Sequence, residues 1–324
     1  MGAAPPATSP RFAFSTGSAS ALPGNEDDIA FASIEELGRW LRRGTISARA
    51  LTGLYLSRLQ RLGPKLECVV TSMDRAALAQ ADRADAELGN GVDRGPLHGI
   101  PWVAKDLFDT AGVTTGWGAE PFRDRVPDTD AEVVRRLDAA GAVLLAKVSL
   151  GALAYGDVWY EGVTRNPWNL EEGSTGSSAG SGAAVAAGLA AFGMGSETMG
   201  SIVSPAMRCG LAGLRPTFGR VSRQGAMALC WSLDKIGPLT RRVEDAGAVL
   251  SVINGYDRRD PGSVDVGFAY PDRSLSSLRV GFDPRWFDGD DVQAPDRTVR
   301  TALEEMDIDV REIEWPDLPA DALW

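Results

Sequence analysis

Residues 173–182 read Gly-Ser-Thr-Gly-Ser-Ser-Ala-Gly-Ser-Gly, and a run of small apolar residues follows over 183–195. Glycine and serine at this density are typical of flexible linkers. A linker is disfavoured here, because the segment continues into a helical pattern without a change in composition. We therefore predict a loop that leads into a buried helix over residues 183–191. Backbone N–H groups at such a helix start can hold an anion, but the chain has no GxxxxGK[ST] motif, which disfavours a nucleotide-binding P-loop.

Helical patterns and short apolar segments alternate on both sides of this loop. Ser33 and Glu36 form a capping-box pattern at one helix start, and Thr129 and Glu132 form another. The alternation predicts an α/β fold with a mainly parallel or mixed sheet. The predicted helices run from residue 33 to Gly44, over 47–62 with Gly63-Pro64 as the stop, over 74–88, from 129 onward and over 299–306; the predicted strands cover 66–72, 100–104, 142–148, 278–282 and 310–315.

The charge balance narrows the range of partners. The chain of 324 residues has a net charge of −11 and a sequence pI near 4.7. An acidic surface disfavours nonspecific binding to nucleic acids or anionic membranes, because both need a basic face. No segment reaches the roughly 18 apolar residues that span a bilayer. We expect neither a membrane nor a nucleic acid as a partner, and a homodimer is possible.

The histidine and cysteine counts exclude several kinds of site. His98 is the one histidine, and Cys68, Cys209 and Cys230 lie far apart in the sequence. Common zinc sites need several His or Cys ligands at short spacing, so no metal centre is expected. Three dispersed cysteines indicate free thiols in a reducing compartment, which predicts a cytoplasmic protein.

A serine nucleophile in this chain needs a base other than histidine. Residues 176–180 match G-x-S-x-G, which would make Ser178 the nucleophile of an α/β-hydrolase, but that fold needs a histidine later in the chain. Lys105 ends an apolar segment, where loss of hydration would lower its pKa and let it act as a base. The alternative is a structural ion pair between Lys105 and a nearby acid such as Asp106. Lys147 and Lys235 are interpreted as structural.

Several separated motifs resemble those of the amidase signature family, and together they cover roughly residues 34–260. The resemblance implies an α/β fold with a mixed, twisted β-sheet core and helices on both faces, with C-terminal elements absent if the chain is truncated. The motifs are GPLHGIP at 95–101 followed by Lys105-Asp106, NPWN at 166–169, the Ser177-Ser178 pair, GSETMGSI at 195–202, Pro205, Cys209-Gly210, GLRPT at 213–217, GRVSR at 219–223, SLDKIGP at 232–238 and VED at 243–245.

The resemblance implies a Ser–cis-Ser–Lys triad that needs no cofactor. It assigns Ser201 as the nucleophile, Ser177 as the bridging serine after a cis peptide bond, and Lys105 as the base. Ser178 and Asp106 would support these residues from a second layer. The implied oxyanion hole consists of the backbone N–H groups of Thr198, Met199, Gly200 and Ser201.

The implied function is hydrolysis of an amide C–N bond in a small-molecule substrate through an acyl-enzyme. Two alternatives remain open: the A subunit of a glutamine-dependent tRNA amidotransferase, and a catalytically inactive fragment or scaffold. Met199, Val203 and Glu197 stand where the family often has Gly, Arg and Asp, and we interpret these departures as a subfamily trait that favours a stand-alone amidase. We predict a disordered leader over residues 1–28 and a single amidase domain over 29–324 that is short at its C-terminus.

Overall fold

The computed structural model describes residues 21–269, 278–287, 292, 294–306, 308–314 and 316. The chain divides into two compact units, Met1–Ala269 and Tyr270–Trp324. Residues 1–20 of the predicted leader and Trp315 of the last predicted strand lie outside the described residues. Later residues of the predicted leader belong to a short helix capped by Asn25. A single domain over 29–324 stays a prediction.

The helices and strands alternate along most of the chain. The helices are α1 (Glu26–Ala30), α2 (Ile34–Arg42), α3 (Ala48–Leu66), α4 (Asp74–Gly89), α5 (Glu132–Ala139), α6 (Ala179–Ala186), α7 (Val203–Cys209), α8 (Val243–Ile253) and α9 (Ala294–Glu305). The strands are β1 (Val69–Ser72), β2 (Pro101–Lys105), β3 (Val143–Val148), β4 (Val158–Trp159), β5 (Gly162–Val163), β6 (Arg165–Asn166), β7 (Asn169–Gly173), β8 (Phe192–Glu197), β9 (Ala212–Gly213), β10 (Lys235–Thr240), β11 (Arg279–Phe282) and β12 (Asp309–Glu312).

The first unit is built around a mixed sheet with the strand order β1-β3-β2-β8-β10-β9. Strand β2 pairs in parallel with β3 and β8 at the centre, and the outer strands β1, β10 and β9 join antiparallel. Every residue of β2 and β3 is buried, as expected for strands covered by helices. In the second unit, β11 and β12 pair in parallel, with α9 between them in the chain. The predicted α/β fold with a mixed sheet is confirmed.

Helix α3 does not stop at Gly63-Pro64 as predicted but continues to Leu66. Pro64 lacks a backbone N–H and removes a single hydrogen bond from the last turns, and the buried side chain of Leu66 favours continuation. Glu67 ends the helix in the left-handed conformation, at φ 48°. Gly63 serves close packing instead, because a Cβ added there would lie 2.8 Å from Val69 Cγ2.

The capping box predicted at Thr129 is not formed, whereas the one at the start of α2 is present. Helix α5 begins at Glu132 after Ala131, which makes no side-chain cap hydrogen bond. The Glu132 carboxylate instead binds the guanidinium groups of Arg135 at 2.8 Å and Arg136 at 2.7 Å. These ion pairs occupy the carboxylate that a capping box would need.

The helix predicted over residues 183–191 lies earlier than expected, and the end of the same apolar run is strand β8. Helix α6 begins at Ala179, inside the predicted loop. Two glycines of β8 face this helix: a Cβ on Gly193 would lie 3.1 Å from Ser181 Cβ, and one on Gly195 would lie 2.6 Å from Ser178 Oγ. Small residues here allow α6 and β8 to approach closely. The strand was not predicted because hydrophobic periodicity alone does not distinguish a buried helix from a buried strand.

No helix in the described part of the chain is both long enough and apolar enough to cross a membrane.

Gly195→Ala is expected to destabilise the fold by about 1–3 kcal/mol. The added Cβ would lie 2.6 Å from Ser178 Oγ and 2.8 Å from Leu239 Cδ1, where the packing leaves no room. Gly53→Ala in α3 is the matched control, since nothing lies within 4 Å of its added Cβ. Alanine there should stabilise the helix by up to about 1 kcal/mol. Urea unfolding measures both variants, and equal stabilities would contradict the close packing of α6 on β8.

Candidate active site

Lys105 ends the central strand β2 and is fully buried. Its Nζ donates hydrogen bonds to Ser177 Oγ at 2.7 Å and to Ser196 Oγ at 2.9 Å, and it lies 3.3 Å from the Ser196 carbonyl oxygen. Burial lowers the pKa of Lys105 to about 7, against the opposing effect of the Asp234 and Glu197 carboxylates. A large fraction of this amine is therefore neutral at physiological pH and able to accept a proton.

The Gly/Ser loop brings Ser177 to this lysine. The Gly176–Ser177 peptide bond is cis, as the family resemblance implied, and Ser177 is buried. A Cβ on Gly176 would lie 1.8 Å from the carbonyl oxygen of Gly156, so only glycine fits at this point of the loop. The neighbouring Thr175 donates its backbone N–H to Asp157 Oδ2 at 2.9 Å. These contacts fix the backbone that presents the Ser177 hydroxyl.

Ser201 lies in the turn between β8 and α7, next to the backbone of the serine pair. Its carbonyl oxygen accepts the Ser178 N–H at 3.1 Å. Among the residues that the structure describes, no hydrogen bond joins the hydroxyl groups of Ser177 and Ser201. Ser178 Oγ donates to the Ser196 carbonyl at 3.1 Å and accepts the Ser196 N–H at 3.2 Å. The structure thus brings Lys105 and Ser177 into direct contact, with Ser201 close by along the backbone.

Residues 198–201, the predicted oxyanion hole, form the turn that follows β8. The buried carboxylate of Glu197 accepts the N–H groups of Ile202 at 2.8 Å and Val203 at 2.9 Å. Burial alone would raise the pKa of Glu197, but the N–H groups of Val203, Ile202 and Gly200 hold this pKa below its ordinary value. Glu197 therefore fixes the turn as a charged acceptor.

Strand β10 holds the other side of this turn. Lys235 Nζ donates to the Thr198 carbonyl at 2.9 Å, and Thr198 Oγ1 donates to Asp234 Oδ1. The antiparallel pairing of β10 with β8, which sets Lys235 opposite Glu197, creates these contacts. Ser196, Asp234 and Lys235 were not identified as site residues from the sequence, although the motifs at 195–202 and 232–238 contain them. The motifs contain these three residues, but a motif match does not show that β8 and β10 are neighbours in the sheet.

Asp106 pairs with Lys147 and not with Lys105. The Lys147 Nζ to Asp106 Oδ1 distance is 3.0 Å, and both side chains are fully buried. Asp106 Oδ2 also accepts the Gly116 N–H at 2.7 Å, and Lys147 Nζ donates to Thr115 Oγ1 at 2.7 Å. The alternative interpretation of Lys105 as the ion-pair partner of Asp106 is therefore wrong.

The side chains of His98 and of the three cysteines take no part in these contacts. The buried His98 accepts the Arg94 N–H on Nδ1 at 3.1 Å, and burial lowers the pKa of His98. Cys68, Cys209 and Cys230 are free thiols, as predicted. Within the described ranges, no group of three or more His, Cys, Asp or Glu side chains could hold a metal ion.

Comparison with known proteins places the chain in a family. A family model described as Amidase matches residues 50–322. The chain belongs to the amidase family. The A subunit of glutamyl-tRNA(Gln) amidotransferase from Halorhodospira halophila is 42% identical to this amidase-family chain over 300 residues, which cover 89% of the chain and 60% of that protein. The corresponding protein of Alkalilimnicola ehrlichii, which has the same name, is 40% identical over 298 residues, covering 88% and 61%.

Among solved structures, the native peptide amidase of Stenotrophomonas maltophilia matches this amidase-family chain with a TM-score of 0.81 and 35% identity. The match covers 90% of this chain and 64% of the peptide amidase chain. The amidase-family chain thus spans about 60% of the length of the curated relatives that it matches.

Glu197→Gln is expected to lower the free energy of unfolding at pH 7 by about 1–3 kcal/mol. A neutral amide oxygen is a weaker acceptor for the two N–H groups that the carboxylate now binds. Because the pKa of Glu197 is held below its ordinary 4.5, the native state binds this proton less readily than the unfolded chain. The stabilisation is therefore complete above pH 4.5 and is lost as the pH falls through the native pKa.

Glu172→Gln is the matched control for this prediction, since Glu172 forms a half-exposed ion pair with Arg208. Such a pair contributes about 0–1 kcal/mol. Denaturant unfolding at several pH values measures both variants. A Glu197→Gln effect that matched the control, or that did not shrink in acid, would contradict the role of the carboxylate in fixing the turn.

Proposed function

We propose that the chain is an amidohydrolase that cleaves an amide C–N bond through Ser201, Ser177 and Lys105, by way of an acyl-enzyme. The observation that supports this most directly is the 2.7 Å contact between Lys105 Nζ and Ser177 Oγ in a buried position. A serine nucleophile needs a base, and a lysine with a pKa of about 7 can serve as one. Membership of the amidase family supports the same reaction.

The Lys105–Ser177 contact would supply the first step of a proton path. Neutral Lys105 accepts the Ser177 proton, and Ser177 Oγ in turn accepts the proton of Ser201. The second transfer requires the Ser201 hydroxyl to turn towards Ser177, and catalytic hydrogen bonds often tighten only when substrate is bound. Ser196 directs the lysine amine by accepting a hydrogen bond from Nζ at 2.9 Å.

Ser201 Oγ then forms a bond to the carbonyl carbon of the amide, and backbone N–H groups of residues 198–201 stabilise the oxyanion. The C–N bond breaks as the leaving nitrogen takes up the proton held by Lys105 and Ser177. Water, deprotonated by the same pair, hydrolyses the acyl-enzyme and restores Ser201. Ser178 supports the site through its hydrogen bonds with Ser196, and Asp106 supports it through its ion pair with Lys147 on β3. These steps require no cofactor.

A second candidate function is that of the A subunit of a glutamine-dependent tRNA amidotransferase. The 42% identity to a protein of that name favours it. That role would require partner subunits and delivery of ammonia. We favour the stand-alone hydrolase because Met199 and Val203 change the turn at the proposed oxyanion hole. Glutaminase activity that appeared only after addition of partner subunits would reverse this preference.

We also propose a substrate class, a cellular compartment and a domain organisation for this protein. The substrate would be a small-molecule amide, and the three free thiols support a reducing compartment such as the cytoplasm. Residues 29–324 would form one amidase domain, since the family match over 50–322 runs through both compact units. A homodimer stays a prediction.

Labelling with a fluorophosphonate tests the proposed nucleophile without knowledge of the substrate. A bond forms between phosphorus and Ser201 Oγ while fluoride leaves, and mass spectrometry locates the adduct. Lys105→Met should reduce the labelling rate at pH 7 at least ~100-fold, because it removes the base. Lys65→Met, which changes an exposed lysine, should stay within about twofold of the unmodified chain. The labelling rate of the unmodified chain should rise through about pH 7 as Lys105 loses its proton and then level off.

Thermal unfolding shows which variants are cooperatively folded before their labelling is compared. An adduct on Ser201 that persisted in Lys105→Met would contradict the proton path. The absence of any adduct on a cooperatively folded chain would overturn the hydrolase proposal and favour an inactive fragment or scaffold.

A further inference from the structure

A cavity of about 170 Å³ lies beside the candidate site in the first unit. Its wall includes Ser196, which accepts a hydrogen bond from Lys105, and Asp234, which accepts one from Thr198. An engineered apolar cavity of roughly 150 Å³ binds benzene, so the space suits one aromatic ring. A group bound here would lie next to Ser196, which contacts the proposed base Lys105, and next to Asp234, which contacts the turn of residues 198–201.

The rest of the cavity wall is mainly apolar, and its arginines already have partners. Arg223 pairs with Asp260 at 2.7 Å, and Arg259 pairs with Asp257 at 3.1 Å. Neither guanidinium is therefore a free cation for an anionic substrate group. The apolar side chains of the wall are those of Ala226, Met227, Ala228, Trp231, Ile236 and Pro261.

Trp231 is held in place although its side chain is largely exposed. The Arg223 guanidinium lies 5.2 Å from the centre of the Trp231 ring and 4.5 Å from that of Phe218, and it donates to the Trp231 carbonyl. Asp260 fixes the orientation of Arg223 through two further hydrogen bonds. Trp231 nevertheless remains 66% exposed. It offers an oriented aromatic surface whose apolar area a ligand could bury.

Asp234 links the segment that contains Trp231 to the turn of residues 198–201 by hydrogen bonds. The Asp234 carboxylate accepts the N–H groups of Leu229 at 2.8 Å and Cys230 at 3.1 Å, and it also accepts the hydroxyl of Thr198. A ligand that stacks on Trp231 therefore contacts a segment whose position is linked to the proposed oxyanion hole. This link favours a role in substrate selection over a separate binding function.

We propose that the cavity binds an aryl or arylalkyl group of the amide substrate and that Trp231 selects for it. The inference rests on the proposed function and names the substrate class for the same site. A flat apolar group would stack on Trp231 and fill the space against Met227 and Ile236. A short aliphatic amide would leave this surface exposed to water, and an anionic group would lose hydration without gaining a free cationic partner, since Arg223 and Arg259 are already paired.

The test compares equilibrium binding of benzamide and acetamide by ligand-observed NMR titration to the Ser201→Ala chain, which lacks the proposed nucleophile and so leaves both amides intact. This chain should prefer benzamide, and the additional change Trp231→Ala should reduce that preference about tenfold. Trp231→Phe keeps an aromatic ring and should retain most of the preference. Trp168→Ala is the matched control, because Trp168 is 74% exposed and does not line the cavity. It should leave the preference unchanged.

A kinetic comparison separates this inference from the proposed function. Labelling rates of Ser201 with phenyl- and methyl-substituted fluorophosphonates should show the same preference and the same dependence on Trp231. Binding of benzamide that was no tighter than that of acetamide, or a preference that survived in Trp231→Ala, would overturn the inference. Loss of labelling with both reagents, together with a benzamide preference that depended on Trp231, would overturn the proposed function and support the cavity assignment.

Discussion

The Lys105 amine is fully buried at the end of the central strand, and the chemistry of the site follows from this burial. An ammonium group inside a sheet loses its hydration, and this loss favours the neutral form unless a carboxylate compensates. Lys147 is equally buried on the adjacent strand β3, but it forms an ion pair with Asp106 at 3.0 Å. Among the described residues, no carboxylate lies within ion-pair distance of Lys105, whose partners are the hydroxyl groups of Ser177 and Ser196. Burial lowers the pKa of both lysines, but in the described part of the chain only Lys147 of the two has a carboxylate at ion-pair distance that opposes this shift.

Small residues allow the backbone to enclose this amine. Gly193 and Gly195 let helix α6 approach β8, and Gly176 lets the serine loop pass against the Gly156 carbonyl. The turn after β8 is then fixed by Glu197 on one side and by residues of β10 on the other. The contacts of the glycines and of β10 join segments that are distant in the chain, whereas Glu197 binds N–H groups only five and six residues further along. The site is therefore a product of the whole central sheet and not of the Gly/Ser loop alone.

The residue patterns were sufficient to predict the α/β class, whereas the contact between Lys105 and Ser177 and the cis bond before Ser177 were predicted only from the resemblance to the amidase signature family. Strand β8 was missed because Phe192–Glu197 continues an apolar run that also fits a helix. Strand β10, with Gly237 and Pro238 at its centre, has low strand propensity, and its pairing with β8 and β9 establishes it. Helices α7 and α8 were also not predicted. The roles of Ser196, Asp234 and Lys235 follow from that strand pairing, which local sequence patterns do not encode.

The protonation state of Lys105 decides whether its amine can act as a base at neutral pH. The chain contains four lysines, Lys65, Lys105, Lys147 and Lys235, so isotope-labelled lysine side chains give few NMR resonances, and Lys105→Met assigns the relevant one. We predict a Lys105 resonance that titrates near pH 7 and that disappears in the variant. A Lys105 resonance that titrated at the ordinary lysine value of 10.5 would show a charged amine at neutral pH, and Lys105 could then not be the base.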